Sequence, residues 1–239
     1  MELQIIAIIF VYRYLYKNNA MKLRNLFMMF AISALLLMSC DRPKAELEFY
    51  ETCSYEEIND RIYKPLQDLN KELRSEGKAP LNSLSYMNTA SLVGYSHPDD
   101  TAAINGLIEL AYSKGILNRD EVLFMWLHNN ELPELYALKP AVAMEGDILK
   151  KAEATHGFSG NPSIYVTFTS DAAKAFADLS EKNIGQGIAV VINGRLLSVP
   201  FVMCRIDGGK VEISGNFTEE EAEQFAEALS PGWRSFLPF

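Results

Sequence analysis

The dipeptide Asn193-Gly194 limits this chain's fold more than any other feature. It lies between a short continuous apolar run, Ile188-Ala189-Val190-Val191-Ile192, and a returning strand from Arg195 to Val199. A two-residue type I′ hairpin needs positive φ at both central residues, and Asn followed by Gly meets that need best. A tight antiparallel hairpin is expected, with Pro200 marking an edge or a bulge because proline cannot donate to a ladder. On the N-terminal side, Ile164-Tyr165-Val166-Thr167-Phe168 alternates with a strand's period. Ser170-Asp171 offers an N-cap, and Ala172, Ala173, Phe176, Ala177 and Leu179 follow at helical spacing. On the C-terminal side, Asp207-Gly208-Gly209 turns the chain and Lys210 to Ser214 alternates again. Thr218 with Glu221 forms a capping box. Ala222, Phe225, Ala226 and Leu229 share one helical face, and Pro231-Gly232 stops the helix. The order over 161–232 is strand, helix, three strands, helix: an α+β unit.

Upstream, residues 41–45 read as a tether and Leu47-Glu48-Phe49-Tyr50-Glu51 as a strand. Ser54 and Glu57 form a second capping box. Ile58, Ile62, Leu66, Leu69 and Leu73 make an amphipathic helix that Pro65 should kink or split. Gly77 to Ser96 reads as a long loop. Thr101 to Lys114 is a helix with Ile104, Leu107, Ile108 and Ala111 on its apolar face and Gly115 at its C-cap. Val122 to Leu127 and Leu135 to Leu138 read as strands, separated by Asn129-Asn130 and Pro133.

Net charge is −9 over 239 residues, and the one acid and four basic residues of 1–40 leave the remainder at −12. Such a surface repels nucleic acid and has no general attraction for anionic lipid. Met21-Lys22-Leu23-Arg24 is a basic n-region, and Leu26 to Met38 is an apolar stretch short for a spanning helix. It ends in Leu37-Met38-Ser39-Cys40, which resembles the bacterial lipobox and marks Cys40 for a thioether-linked lipid. An uncleaved anchor is the alternative. Residues 1–20 precede a signal complete in itself, so Met21 is a candidate start; the alternative is a longer n-region, which leaves the mature protein the same. The expected location is the cell envelope, as a membrane-anchored lipoprotein facing the periplasm. In that oxidising compartment Cys53 and Cys204 allow one disulfide; two buried free thiols satisfy the sequence equally.

The C-terminal stretch resembles a known family. Asn183-Ile184-Gly185, Ile188-Ala189-Val190-Val191, Gly194, Ser198-Val199-Pro200, Gly208-Gly209 and Ile213-Ser214-Gly215-Asn216-Phe217-Thr218 follow the order and spacing of the SecD head subdomain. Asn-Gly stands where the family usually has Asp-Gly, and Ser-Val-Pro where it has Ser-Ala-Pro. Shorter pieces resemble the base of the first periplasmic domain of SecDF: Leu47 to Thr52, Pro80-Leu81, Val93-Gly94-Tyr95, Asp100-Thr101-Ala102 with Asn105, Arg119-Asp120 and Tyr136 to Lys139. The resemblance implies two small subdomains, each a mostly antiparallel sheet with helices packed on it: a ferredoxin-like base over 46–155 and a SecD-type head over 156–239. It implies structural roles for Asn183, Gly185, Gly194, Ser198, Pro200, Gly208, Gly209, Gly215, Asn216 and Phe217. Two departures stand out. SecD carries six transmembrane helices, and no long apolar run follows residue 40 here. In SecD the chain also returns from the head to add a strand to the base. Here two expectations stand: the base sheet lacks that strand, or the apolar tail 233–239 replaces it in part. Proton-coupled work depends on the membrane helices and is not carried over.

Catalytic constellations are hard to find. His97, His128 and His156 sit in no His-Glu-x-x-His pattern, no serine lies in a Gly-x-Ser-x-Gly elbow, and no metal or cofactor is expected. Gly185-Gln186-Gly187 opens a strand, whereas a phosphate loop opens a helix, so a turn is expected. Asp99-Asp100 and Glu219-Glu220-Glu221 read as acids favouring helix dipoles. Phe49, Tyr50, Phe124, Trp126, Tyr165, Phe168, Phe201 and Phe217 lie on or beside strands; most should be core, with some lining a groove for extended polypeptide. The expected function is non-enzymatic: an accessory in protein export or the handling of unfolded envelope proteins, with exported polypeptides or Sec translocon components as partners. The rivals are an envelope module reusing the fold for an unrelated partner, a degenerate SecD paralogue, and a hydrolase disfavoured by the missing nucleophile–base pair.

Overall fold

A computed structural model describes residues 44–75, 91–128 and 132–231. Strand β1 (Leu47–Thr52) leads into a π-helical turn (Glu57–Tyr63) and helix α1 (Lys64–Ser75). β2 (Leu92–Tyr95), a 3₁₀ turn (Pro98–Asp100) and α2 (Thr101–Ser113) follow, then β3 (Leu123–Leu127), β4 (Glu134–Met144) and β5 (Leu149–His156). The C-terminal part holds β6 (Pro162–Phe168), α3 (Ser170–Lys182), β7 (Ile188–Ile192), β8 (Arg195–Ser198), β9 (Lys210–Ser214) and α4 (Glu219–Leu229). The strand–helix–three strands–helix order expected over 161–232 is the one observed.

One sheet runs β2-β4-β1-β7-β8 with β3 also on β4, and a second runs β5-β6-β9; every pairing is antiparallel. The expected α+β class is therefore seen directly. The Asn193-Gly194 turn has φ of 52° and 73°, both positive as a type I′ turn requires. The capping boxes are present at both expected places: Ser54 with Glu57 and Thr218 with Glu221. Thr169, not Ser170 or Asp171, caps α3, its hydroxyl accepting from the Ala172 N–H at 3.4 Å.

Pro65 splits its helix in a specific way. It lacks the N–H that would bond the Arg61 carbonyl. The preceding residues widen into a π-turn, in which the Lys64 N–H donates to Asn59 O, five residues back. β4 extends past the expected Leu138. Its register against β1 jumps from Tyr50↔Val142 to Thr52↔Leu138, and Pro140 lies in that interval, where a bulge needs no donor. The segment read as a loop from Gly77 to Ser96 contains β2; its portion 77–90 lies outside the described residues, as do Pro80-Leu81 and Asn129-Asn130. The expected tether is fixed at its described end: the buried Ala45 donates to Ala228 O at 3.1 Å, and Lys44 pairs with Asp147.

Among the described residues the core has three parts. Ile58, Ile62, Leu66 and Leu69 pack with Ile104, Leu107, Ile108 and Ala111 against Val93, Leu135 and Ala137. The opposite face of the sheet collects Tyr50, Leu127, Leu138, Ala189, Val191 and Leu196, with β3 lying against β8. The largest cluster joins Leu47, Phe49, Met144 and Ile148 to Phe168, Phe176, Val190, Ile192, Phe217 and Ala226. Phe49 is fully buried, with ring centroids 5.9 Å from Phe168 and 5.2 Å from Phe176. The expected boundary at 155/156 falls in the β5–β6 hairpin, and β7 from the later segment pairs with β1 along its length. The described residues from Lys44 onward cluster as one compact unit.

Candidate functional site

The motif residues stand at the end of α3 and at the ends of β7, β8 and β9, and most of them shape backbone. The buried Asn183 donates from Nδ2 to Leu179 O at 2.8 Å, closing the end of α3. Gly185, Gly194, Gly208 and Gly209 all have positive φ. The Gly185 N–H donates to Val202 O and the Val202 N–H to Gln186 O, at 2.9 and 2.8 Å. Pro200 O accepts from the Ile188 N–H at 3.2 Å, and Ser198 pairs with Val190 beside a register irregularity. Gly185-Gln186-Gly187 is thus the turn that opens β7. At Gly215 any Cβ would sit 2.9 Å from Phe217 Cζ and 3.1 Å from Leu197 O, so glycine lets the buried Phe217 ring close over this corner. Asn216 lies beside Leu127, His128, Arg195 and Leu196, at the seam between β3 and β8.

Sequence reasoning missed a buried polar lock at the turn that opens β7. The Thr52 hydroxyl donates to Gly187 O at 2.9 Å and, with that proton committed, accepts from Ser91 Oγ at 2.7 Å. The Gly187 N–H in turn donates to Ser91 Oγ at 3.1 Å. Thr52 and Ser91 are both buried, and Ser91 holds a positive φ of 79°. Nearby, the half-buried Glu51 accepts from Lys139 at 3.2 Å and from Lys182. Burial works to raise the Glu51 carboxyl, but the two lysines outweigh it and hold the carboxyl below its ordinary value. These partners are far apart in sequence and carry no local signal.

The aromatics divide as expected for the most part. Phe49, Tyr50, Phe168 and Phe217 are buried, and Phe124 and Trp126 are partly so. Trp126 Nε1 donates to Asn105 at 2.8 Å. Phe201 and Tyr165 are exposed, as are Met203, two residues after Phe201, and Ile184, on the turn whose main chain bonds Val202. Ile184 stands within the quoted motif, and Met203 had no sequence signal.

The other candidates stay apart. His97 accepts from the Asp99 N–H, and His156 lies 3.1 Å from Glu219, both on the surface. Among the described residues no cluster of His, Cys, Asp and Glu is suited to a metal ion. Asp99 and Asp100 precede α2, and Glu219, Glu220 and Glu221 fill the first turn of α4. Cys53 and Cys204 are not paired: Cys53 is buried beside the π-helical turn and Cys204 is exposed between β8 and β9. Burial, followed by the nearby Glu57 charge, pushes the Cys53 thiol up to about 11. Cys40 lies outside the described residues, as does the tail 233–239. Among the described residues no helix is long and apolar enough to cross a membrane.

Residues 123–233 match the family described as SecDF, P1 head subdomain. Protein translocase subunit SecD of Acidaminococcus fermentans is 32% identical over 118 residues, covering 49% of this chain and 28% of the relative. Protein translocase subunit SecDF of Thermus thermophilus is 33% identical over 116 residues, covering 48% of this chain and 15% of the relative. The chain thus spans less than a third of either translocase subunit. A solved structure of SecDF, described as a membrane component that enhances protein export, is 22% identical with a TM-score of 0.36, covering 77% of this chain and 92% of that one. The resemblance carried by the C-terminal motifs is therefore a match to the SecDF head subdomain.

Proposed function

We propose that the chain is a lipid-anchored envelope protein that uses a SecD-type periplasmic domain to hold unfolded polypeptide transiently, as a non-enzymatic accessory in protein export. The match of residues 123–233 to the SecDF head subdomain carries this reading. The signal-like segment ending in Leu37-Met38-Ser39-Cys40 supports anchoring through Cys40. The likeness to translocase subunits supports partners among exported chains and Sec components. Binding is expected to be weak, because a client must be released and ordering a flexible chain costs free energy. A dissociation constant near micromolar, about −8 kcal/mol, suits such a holder.

The test is titration of the full chain, held in lipid discs, with reduced unfolded envelope proteins and with their folded forms. Preference for the unfolded forms is the expected result. Equal affinity for both, or no binding near millimolar concentration, rejects client capture. Fractionation of the Cys40→Ser variant reads the anchor separately, since the variant should leave the membrane or fail to mature.

A further inference from the structure

Ile184, Phe201 and Met203 are 50%, 56% and 83% exposed. They lie on neighbouring turns of chain, because Gly185 and Gln186 pair with Val202 through two main-chain hydrogen bonds. An isolated bridge, Gly187↔Phe201, prolongs the β7–β8 ribbon past Pro200. In an antiparallel ladder successive residues turn their N–H and C=O groups to opposite sides. Val202 faces the 185–187 turn, so Phe201 and Met203 present theirs on the outer edge. Apolar side chains and, among the described residues, an open main-chain edge thus coincide over one short segment.

Size and charge say what fits there. Side chains of roughly 150–250 Å² each, exposed to this degree, offer on the order of 350 Å². A stable complex of folded partners needs about 800 Å² from each side, so a second copy of this chain is too large an occupant for so small a patch. A few residues of extended chain match it. Two residues on, Arg205 is surrounded by Asp178, Glu181 and Asp207, with 3.0 Å to Asp178 and to Asp207. Three carboxylates against one guanidinium leave an excess of negative charge beside the apolar patch. The strand edges of the second sheet differ: β5 carries Lys150, Lys151 and Glu153, and β9 carries Lys210 and Glu212. Such charges guard an edge against pairing. From Ser198 to Cys204 no residue is charged.

We infer that the outer edge of Pro200–Met203, with Ile184 beside it, is the docking site for an extended apolar segment flanked by basic residues. This rests on the client-capture reading and names the chemistry that reading leaves open. Main-chain pairing along Phe201 and Met203 would supply sequence-tolerant affinity, the apolar side chains would select hydrophobic segments, and the carboxylates around Arg205 would favour basic flanks.

The experiment is fluorescence anisotropy of the full chain in zwitterionic lipid discs, with empty discs subtracted. The probes are a labelled peptide of five alternating leucines and valines flanked by two lysines at each end, the same peptide with glutamates, and a reduced unfolded protein. The lysine peptide should bind wild type at least threefold more tightly than the glutamate peptide. Phe201→Asp with Met203→Asp should weaken it tenfold or more. Met203→Asp alone, at the most exposed position, should weaken it at least threefold while leaving the melting transition in place. If the variants bind every probe as wild type does, the site is elsewhere, although client capture stands. If wild type binds the unfolded protein but not the lysine peptide, the proposed chemistry is wrong. If wild type binds no unfolded chain, both readings fail together.

Discussion

At Gly194 the chain holds φ of 73° immediately after Asn193 at 52°. A β-branched residue resists that region, so Gly194→Val should cost about 1–3 kcal/mol. Urea denaturation measures it, and a loss under about 0.5 kcal/mol, the size of a neutral surface change, rejects the turn. The turn also holds more than its own hairpin. Asn193 Oδ1 accepts from the Glu46 N–H at 2.9 Å, and the Asn193 N–H donates to Glu46 O at 3.0 Å. The turn type was readable in two letters because its φ requirement is local. Its bonds to Glu46 were not, because they join residues 147 positions apart. The same contrast separates Thr218-Glu221, a capping box contained in one helical turn, from the Thr52–Ser91–Gly187 lock, which closes only when distant strands meet.

Among elements, those with a strong apolar rhythm were legible. β7 is buried at every position, and it reads as a buried strand from its five apolar residues. β5 carries no apolar rhythm, because it is an edge strand with only Ala152 buried and its sequence is polar almost throughout. β2 is four residues long with a glycine inside, too short to declare a period. The strand signal of β4 stops at Lys139-Pro140, whose break is absorbed by a bulge. One ionic junction couples three elements: Glu51 on β1 receives Lys139 from β4 and Lys182 from the end of α3. The Glu51 carboxyl is depressed in the folded state. Its contribution is therefore present above the ordinary value of 4.5 and is lost as pH falls through the lower folded value. Glu51→Gln should lower stability at neutral pH by roughly 1–3 kcal/mol, the worth of a hydrogen bond to a charged group. It should also flatten the stability profile below pH 4.5 relative to wild type. Parallel wild-type and variant profiles in that range would show that Glu51 is not coupled to folding.

At the scale of the whole molecule, local signals name strands and helices but not which strands become neighbours. The resemblance suggested a base followed by a head, divided near residue 155. The structure threads β7 and β8 into the sheet begun by β1, and the largest core cluster draws on both segments. Leu47, Phe49, Met144, Ile148 and Ala152 lie before the division, and Phe168, Phe176, Ile188, Val190, Ile192 and Phe217 lie after it. A fragment starting at Asn161 keeps two capped helices and four strands. It loses β1 from one side of β7 and β5 from one side of β6, leaving both edges unpaired. It also loses Phe49, which packs edge-on against both Phe168 and Phe176; removing a buried Phe side chain alone costs about 3–5 kcal/mol. A small domain's stability is of the same order, about 5–15 kcal/mol, so the combined loss exceeds what the fragment can bear. The fragment from Asn161 onward is expected to melt without a cooperative transition and to bind apolar dye. The chain from Lys44 should show one transition, and Phe49→Ala should shift all of it. Calorimetry of the three proteins decides the matter: a cooperative melt of the fragment, or a Phe49→Ala profile split into an unshifted and a shifted step, would mean that the two segments fold independently.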